Sequence, residues 1–270
     1  MTFRNWASRF FIRTKCVPAQ APVVTTRWET SRNWSGASIL PRNGNTFTEV
    51  AGGWTVPQVP ADAQPFQSSS IWVGLDGQRR YFNSSLPQIG TTQEFNVTTN
   101  GIEYYAMYQW WARGQVHAKP HKIRDITLTA GDSVFCNVQV VDKTHAIVSI
   151  VKFGTPNQFW SKILRAPKIA GSRPQISGAT AEWIVERPTL PDSDELLNLI
   201  HYGTVDFTAC VAVTSHLPDF SPTEYQSLDG AQFKRMVEPL DGPTRIVRLS
   251  EPRRWVPDQP EAFNVTYVGP

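Results

Sequence analysis

The stretch Ala181-Glu182-Trp183-Ile184-Val185-Glu186 consists mostly of residues that favour β-strands, with two acidic residues among them. Side chains alternate between the two faces of a strand, so Glu182, Ile184 and Glu186 share one face. Trp183 and Val185 lie on the other face, which we predict to face the core. The acidic face is either an ordinary solvated surface or a face that the fold buries because its carboxylates do chemistry. Acidic residues are rarely buried without a partner, so burial here would point to a function. Under the second interpretation Glu186 is the first catalytic candidate.

The strand-forming pattern recurs along the whole chain. Short segments rich in Val, Ile, Thr, Phe, Tyr and Trp are separated by turns, and the 270 residues include 21 prolines and 17 glycines. This pattern predicts an all-β fold of the sandwich type, and such folds run to about 250 residues as one domain. We therefore expect an irregular arm over residues 1–27 and a single β-sandwich domain over residues 28–270.

Turn signals and residue preferences place the individual elements. Asn43-Gly44 and Asn100-Gly101 are dipeptides typical of tight hairpins. A single helix is predicted at 192–200, where Ser193 can cap the first turn, and 154–172 is treated as loop. The predicted strands are 34–40, 46–56, 70–75, 93–98, 103–111, 125–128, 133–141, 146–153, 181–185, 204–214 and 245–249.

Charge and hydropathy exclude several classes of protein. The 26 basic and 23 acidic residues give a net charge of +3 without a long basic run, so no nucleic-acid footprint is visible. No segment approaches the ~18 apolar residues of a membrane span. Near the N-terminus Arg13 and Lys15 interrupt the apolar residues, so no signal peptide is visible and the location stays open.

The cysteines and histidines give no sign of a metal site or cofactor. Cys16, Cys136 and Cys210 form no CxxC or Cys/His cluster, so we expect buried, inert thiols, with one disulfide between two of them as the alternative. Only His117 and His121 have a ligand-like spacing, and the proline between them excludes a regular helix, so we assign them to a loop. Neither a GxSxG elbow nor an HExxH helix occurs.

Three further segments carry possible chemistry. Asp76 ends a strand before a glycine, where it is either a turn former or a functional carboxylate. Gln88 lies in the sequence Leu-Pro-Gln-Ile-Gly and would by itself be an ordinary loop residue. The segment 104–111 has aromatic residues on both faces of one predicted strand. One of those faces must meet the core, which leaves the other as an aromatic wall.

Four motifs, in this order, resemble the eqolisins, or glutamic peptidases. In that family a tryptophan near the start is followed by WVGIDG, LQTG and AEWIVE signatures. The matching segments here are Asn33-Trp34-Ser35-Gly36-Ala37, residues 72–77, Gln88-Ile89-Gly90 and residues 181–186. The resemblance covers about residues 28–214. It implies a sandwich of two long curved antiparallel sheets, of jelly-roll or concanavalin-like type, with a concave substrate cleft.

The same resemblance implies a catalytic pair, Gln88 and Glu186. The enzyme would be an endopeptidase that favours acidic pH, without covalent intermediate, metal or cofactor. Glu186 would act as general base on a water molecule held against Gln88, whose amide would donate to the oxyanion. Partial burial should raise the pKa of Glu186. Glu182, about 13 Å away along the strand, is assigned a supporting or structural role.

Other residues follow from the resemblance. It places Asp76 near the site and makes Trp34 and Trp72 cleft residues, although tryptophan also packs in cores. It further implies polypeptide substrates, a monomer and an extracellular location, and it adds the remnant of a pro-segment as a second interpretation of the irregular arm at 1–27.

The chain departs from the fungal eqolisins in one motif. They usually read YDAWYEWYP where this chain reads YYAMYQWWA, so Tyr105 replaces an aspartate and Gln109 a glutamate. In the family these positions face the cleft, as Tyr105, Met107, Gln109 and Trp111 should here. Losing two carboxylates reduces charge repulsion. We therefore expect a pH optimum above the strongly acidic range of the fungal enzymes.

A second function class stays open at this stage. A tryptophan-lined β-sandwich also describes carbohydrate-binding modules and glycoside hydrolases, in which Glu186 with Asp76 or Glu182 would form the carboxylate pair. Gln88 discriminates between the classes, because only the peptidase mechanism requires its amide.

Overall fold

A computed structural model describes residues 28–78, 81, 85–115, 118–190, 195–215, 224–240, 245–253 and 259–269. Within these ranges the chain forms β-strands and no helix, which confirms the all-β fold class. None of the described residues therefore belongs to a helix that could cross a membrane. The predictions for the arm at 1–27, with Cys16, and for His117 lie outside the described residues.

The strands are numbered in chain order. They are β1 (Trp28–Ser31), β2 (Trp34–Ile39), β3 (Thr46–Thr55), β4 (Gln67–Leu75), β5 (Ser85–Asn96), β6 (Gly101–Ala112), β7 (His121–Thr127), β8 (Ser133–Asp142), β9 (His145–Lys152), β10 (Gln158–Arg165), β11 (Ala181–Glu186), β12 (Asn198–Leu199), β13 (Thr204–Ser215), β14 (Glu224–Gln226), β15 (Gln232–Leu240), β16 (Arg245–Arg253) and β17 (Phe263–Tyr267).

Two layers share one long strand. The first sheet runs in the order β7, β6, β5, β4, β11, β2, β15, and continues through β16 and β17 to the start of β13. The second sheet runs β14, β13, β3, β8, β9, β10. A register shift between Thr208 and Val211 lets β13 pass from one sheet to the other, as β-bulges do where a strand bends. Only the β1–β15 and β12–β4 pairs of the described strands are parallel.

The core lies between the two sheets and takes one face of each strand. Trp183 and Val185 are fully buried in it, as their alternation in the sequence predicts. The Trp183 indole reaches the second sheet, where its Nε1 donates to the carbonyl oxygen of Ala51 at 2.8 Å. Gly52 leaves room for that ring, because a Cβ there would lie 2.7 Å from Trp183 Cδ1. Trp183 therefore fixes β11 against the opposite layer.

The structure corrects several of the element predictions. The strands at 34–40 and 46–56 do not pair around Asn43-Gly44, because β2 and β3 lie in different sheets. The predicted strand at 93–98 is the end of a longer strand, β5, so Gln88 lies in a strand and not in a loop. The region 154–172, treated as loop, contains strand β10. His121, also assigned to a loop, begins strand β7.

The helix predicted at 192–200 is wrong over its described part, residues 195–200. Asn198 and Leu199 form strand β12, which pairs with β4. The Leu197 amide donates to the Pro188 carbonyl, and the Leu190 amide donates to that of Glu195. Pairing with neighbouring strands thus overrides a weak local helix preference.

Gly90 is predicted to be essential for the packing of β5 on β4. An alanine Cβ there would lie 1.9 Å from the Ile71 carbonyl oxygen and 2.7 Å from Trp72 Cα. Because both contacts are with backbone, Gly90→Ala should lower the free energy of unfolding by about 3 kcal/mol. The measurement is urea denaturation followed by fluorescence. Gly101→Ala is the control, since its Cβ would meet only the Thr99 oxygen, at 3.9 Å. A loss no larger for Gly90→Ala than for Gly101→Ala would contradict the expectation.

Candidate active site

The face of the first sheet opposite the core carries most of the residues that the sequence singles out. We call it the site face; Trp72, Leu86, Met107 and Ile184 are buried on it, and Trp34, Tyr105 and Trp111 pack against them. Cross-strand pairing arranges it in rows that run over β11, β4, β5 and β6. The rows are Glu186–Ser70–Thr92–Tyr105, Ile184–Trp72–Gly90–Met107 and Glu182–Gly74–Gln88–Gln109.

Glu186 is held by indole N–H groups on both of its carboxylate oxygens. Trp34 Nε1 donates to Oε1 at 3.0 Å and Trp72 Nε1 donates to Oε2 at 2.7 Å. Asn33 Nδ2 adds a longer bond to Oε1 at 3.4 Å. The two indole rings meet edge to face, with centroids 5.1 Å apart. The carboxylate therefore has a fixed position at the edge of an aromatic cluster.

The position of β11 in the sheet explains this arrangement. β11 is paired on both sides, so β2 brings Trp34 directly opposite Glu186, while β4 brings Ser70 opposite it and Trp72 two residues further. Burial raises the pKa of Glu186 above its ordinary value, while the hydrogen bonds from Trp34, Trp72 and Asn33 oppose that shift. A raised pKa makes the ionised carboxylate a stronger base than an exposed glutamate.

Gln88 lies on the same face and is held by another amide. It is 3% exposed, and its Nε2 donates to Gln109 Oε1 at 2.9 Å. No residue that the structure describes hydrogen-bonds to Gln88 Oε1. Gln88 and Glu186 are two rows apart and do not contact each other. The indole of Trp72 spans that gap. At one end its Nε1 donates to Glu186. At the other end its Cζ3 lies 3.1 Å from where a Cβ on Gly74 would be, and Gly74 is the strand partner of Gln88.

The carboxylate of Asp76 is hydrogen-bonded to residues 177–179 and not to Gln88 or Glu186. Its two carboxylate oxygens accept four hydrogen bonds, from the amides of Ser177, Gly178 and Ala179 and from the Ser177 hydroxyl, at 2.7–3.2 Å. The residue is 3% exposed and has a φ of 66°. Asp76 thus anchors the segment that leads into β11, which places Glu186 only indirectly.

Glu182 is fully buried, so the interpretation of the acidic face as solvated is wrong for it. Its Oε1 accepts from Thr180 Oγ1 at 3.2 Å, and its Oε2 has no hydrogen-bond partner among the described residues. Burial raises the pKa of Glu182 to about 8, although the charge of Lys234 opposes the shift. Glu182 is therefore neutral at acidic pH.

Tyr105 leads to a charged cluster at the end of the site face, which the sequence analysis missed. Its hydroxyl donates to Glu94 Oε2 at 3.0 Å. Lys122 Nζ lies 3.9 Å from the centre of the Tyr105 ring and pairs with Glu94 at 3.2 Å and Glu103 at 2.9 Å. The hairpin register does contain a signal, because Glu94 and Glu103 are direct strand partners and two like charges in that position need a cation.

The remaining candidates stay outside the site. Cys136 and Cys210 are buried free thiols, which confirms that interpretation for these two cysteines. His121 stacks on Tyr108 with ring centres 5.0 Å apart. In the part of the chain that the structure describes, no three His, Cys, Asp or Glu side chains converge to hold a metal ion. Asn33, a further contact of Glu186, was quoted in the sequence only as part of the Trp34 motif.

Fold and site together define a β-sandwich protein that presents one indole-bound glutamate and one buried glutamine on the same sheet face. The sequence profile described as "Peptidase A4 family" matches residues 32–237. The chain therefore belongs to the peptidase A4 family, the eqolisins. Family and fold indicate a peptidase of the glutamic type, which implies polypeptide substrates.

Solved eqolisin structures share the fold. Scytalido-glutamic peptidase with a transition state analog inhibitor is 22% identical, with a TM-score of 0.65 over 88% of this chain and 98% of that one. SCP-B, solved with the tripeptide Ala-Ile-His, is 21% identical, with a TM-score of 0.61 and the same two coverages. Aspergilloglutamic peptidase from Aspergillus niger is 22% identical, with a TM-score of 0.51 over 75% of this chain and 99% of that one. No curated protein matches the chain significantly.

The buried glutamates should make the protein more stable in acid. Between the ordinary pKa of 4.5 and the folded value of about 8, the folded state holds the Glu182 proton more tightly than the unfolded state. The free energy of unfolding should therefore fall as pH rises through this window, by on the order of 5 kcal/mol at about 1.4 kcal/mol per pKa unit. Glu182→Gln should flatten this slope in urea denaturation series.

Glu49, on the second sheet, provides the matched comparison. Its pKa is raised to about 7 by burial, so Glu49→Gln should remove a smaller part of the same slope. An unchanged slope in Glu182→Gln would show that Glu182 is ionised in the folded protein at neutral pH, against the expectation.

Proposed function

We propose that this chain is a glutamic endopeptidase that works at acidic pH, with Glu186 as general base and Gln88 as the donor to the oxyanion. The observation that carries the proposal is the Glu186 carboxylate, which two indole N–H groups fix and burial makes more basic. It lies on the same sheet face as the buried amide of Gln88, in a chain of a peptidase family.

Glu186 has the properties that a general base needs in this reaction. The raised pKa favours transfer of a proton from water to the carboxylate, while the hydrogen bonds from the indole donors oppose that rise and favour the ionised form. In the proposed first step, the water oxygen bonds to the scissile carbonyl carbon as its proton passes to Glu186. The carbonyl π electrons move to the oxygen, which becomes the oxyanion. The oxyanion electrons then re-form the carbonyl as the C–N bond breaks, and Glu186 gives its proton to the departing amine nitrogen. The water oxygen stays in the carboxyl product, so no covalent enzyme intermediate forms.

Gln88 is proposed to donate a hydrogen bond to the oxyanion through its neutral amide. Its amide has two N–H groups, of which one is used by Gln109, so one remains for the oxyanion. Such a donor typically contributes about 2.7–4 kcal/mol to transition-state stabilisation. Because the buried Trp72 indole lies between Glu186 and Gln88, the proposed position of substrate and water has the carboxylate on one side and the amide on the other.

The acidic working range follows from two opposing requirements. Glu186 must be ionised, and its pKa lies above the ordinary value, so activity falls at strongly acidic pH. Glu182 and Glu49, with pKa values of about 8 and about 7, favour the folded state at lower pH. Tyr105 and Gln109, where fungal relatives carry acids, leave fewer charges near the site. We therefore place the optimum in the moderately acidic range.

The carbohydrate alternative needs a second carboxylate near Glu186. Asp76 has both oxygens engaged by residues 177–179, and Glu182 lies two rows away with its Oε1 on Thr180. Neither carboxylate hydrogen-bonds to a residue that binds Glu186. The peptidase proposal needs no second carboxylate, since it uses Glu186 with the amide of Gln88. These observations favour the peptidase.

Glu186→Gln and Gln88→Ala test the proposal. Glu186→Gln removes the base and should reduce cleavage of a denatured protein by at least about 10³-fold, and Gln88→Ala should reduce it by about 10²- to 10³-fold. The assay follows fragment release from about pH 2 to about pH 8, the range in which carboxylates with raised pKa values titrate.

Glu182→Gln is the matched control, since it makes the same change on the same strand and face. It should keep most of the activity below pH 7. Circular dichroism confirms the fold of each variant. Wild-type protein that cleaves no polypeptide, or folded Glu186→Gln protein that cleaves as well as wild type, would refute the proposal. In that case binding to insoluble polysaccharides is the next measurement.

Trp34→Phe should shift the acidic limb of the pH profile. It removes one N–H donor to the ionised carboxylate and so raises the pKa of Glu186 further. The limb in kcat/KM should move to higher pH by up to about one unit, the equivalent of a charge-assisted hydrogen bond at a partly exposed site. Trp111→Phe, a like change on the same face, should leave the limb in place. A limb that does not move in Trp34→Phe would mean that another group controls it.

A further inference from the structure

A short chain of hydrogen bonds determines which way the Gln88 amide faces. Its first member is the carbonyl oxygen of Ala118, which accepts from Gln109 Nε2 at 3.0 Å. A backbone carbonyl can only accept, so Gln109 must turn its NH₂ group towards Ala118. The Gln109 oxygen then faces Gln88, its direct strand partner.

The orientation of the Gln109 amide determines the orientation of the Gln88 amide. Because Gln109 Oε1 can only accept, Gln88 must present Nε2 to it, and the distance between these atoms is 2.9 Å. Gln88 Oε1 therefore points away from Gln109. That oxygen is buried and has no hydrogen-bond partner among the described residues, which leaves it free to accept from a bound water or substrate.

We propose that Gln109 is a positioning residue, which acts through Gln88 by fixing the orientation of its amide. The inference rests on the proposed peptidase function. In the fixed orientation, Gln88 Oε1 accepts an O–H of the attacking water, and the second Nε2 proton of Gln88 is left for the oxyanion. One amide thus serves the nucleophile and the oxyanion at the same time.

The orientation matters because a glutamine amide has two nearly equivalent rotamers at its last torsion. In the flipped rotamer the oxygen of Gln88 would face the oxyanion and repel it, and the amide nitrogen would face the water. Gln109 excludes the flipped rotamer, since two amide oxygens would then meet.

The test measures kcat and KM on one peptide substrate for wild type, Gln109→Met, Gln88→Ala and the double variant. Gln109→Met keeps the side-chain length but neither accepts from Gln88 Nε2 nor donates to Ala118. We expect kcat to fall by at least about 10-fold, with the about 10²- to 10³-fold loss of a whole oxyanion donor as the upper bound. KM should change less than about 3-fold, as for an interaction made in the transition state. In the Gln88→Ala background Gln109→Met should cost nothing further, because coupled residues are not additive.

Gln109→Glu is the conservative rescue. Its carboxylate oxygens still accept from Gln88 Nε2, so kcat should return to within about 3-fold of wild type at pH values where the introduced group is ionised. Gln109→Lys reverses the polarity, since it offers donors only, and should lower kcat as Gln109→Met does. Gln109→Lys also supplies the disrupting variant if Gln109→Met does not fold.

Gln93→Met is the structural control. Gln93 is a fully buried glutamine of the same strand, β5, with its side chain on the core face, where its Nε2 donates to Ser69 Oγ. It should lose stability and keep kcat. Two results would overturn the inference: a wild-type kcat in folded Gln109→Met, or the same loss from Gln109→Met in the wild-type and Gln88→Ala backgrounds. In both cases a loss of activity in Gln88→Ala would still support the peptidase function. Activity retained in Gln88→Ala itself would overturn both.

Discussion

The double pairing of β11 is the constraint on which the rest of the structure depends. β2 and β4 pair with its two edges, and Trp183 ties its core face to the second sheet. With β11 fixed in this way, the indoles of Trp34 and Trp72 can only converge on Glu186. A carboxylate held by a strand between two strands has little freedom, which is the preorganisation that a general base needs.

Burial of polar groups serves different purposes at three residues close to the row of Glu182 and Gln88. Asp76 is buried with every oxygen engaged and acts as an anchor for the segment before β11. Glu182 and Gln88 are buried with one oxygen each that no described residue engages. For Glu182 the result is a raised pKa and stability in acid. For Gln88 the free oxygen, with its direction set by Gln109, is an acceptor available to a ligand.

Much of the fold was predictable because alternation along a strand is a local property. The alternation in 181–186 assigned Trp183 and Val185 to the core, and the Asn100-Gly101 turn located the β5–β6 hairpin, as the structure confirms. The hairpin predicted at Asn43-Gly44 is wrong, because β2 pairs with β11 and β15 while β3 pairs with β13 and β8 in the other sheet. The helix prediction at 192–200 failed where pairing with β4 outweighed residue preferences. β5 began eight residues earlier than predicted, at Ser85 and not at Gln93, because Pro87 and Gly90 are poor strand formers that the neighbouring strands tolerate.

The sequence by itself determined the all-β class and the ordered motifs of the peptidase family, because residue type and order along the chain are enough for these. It was the resemblance carried by those motifs that made Gln88 a candidate beside Glu186. Only the tertiary structure decided what each group touches. It joined Glu186 to Trp34 and Trp72 and Gln88 to Gln109, and it turned Asp76 away towards residues 177–179. The physical reason is that these contacts depend on strand order and register, and residues 100 or more positions apart meet only once the sheet has formed.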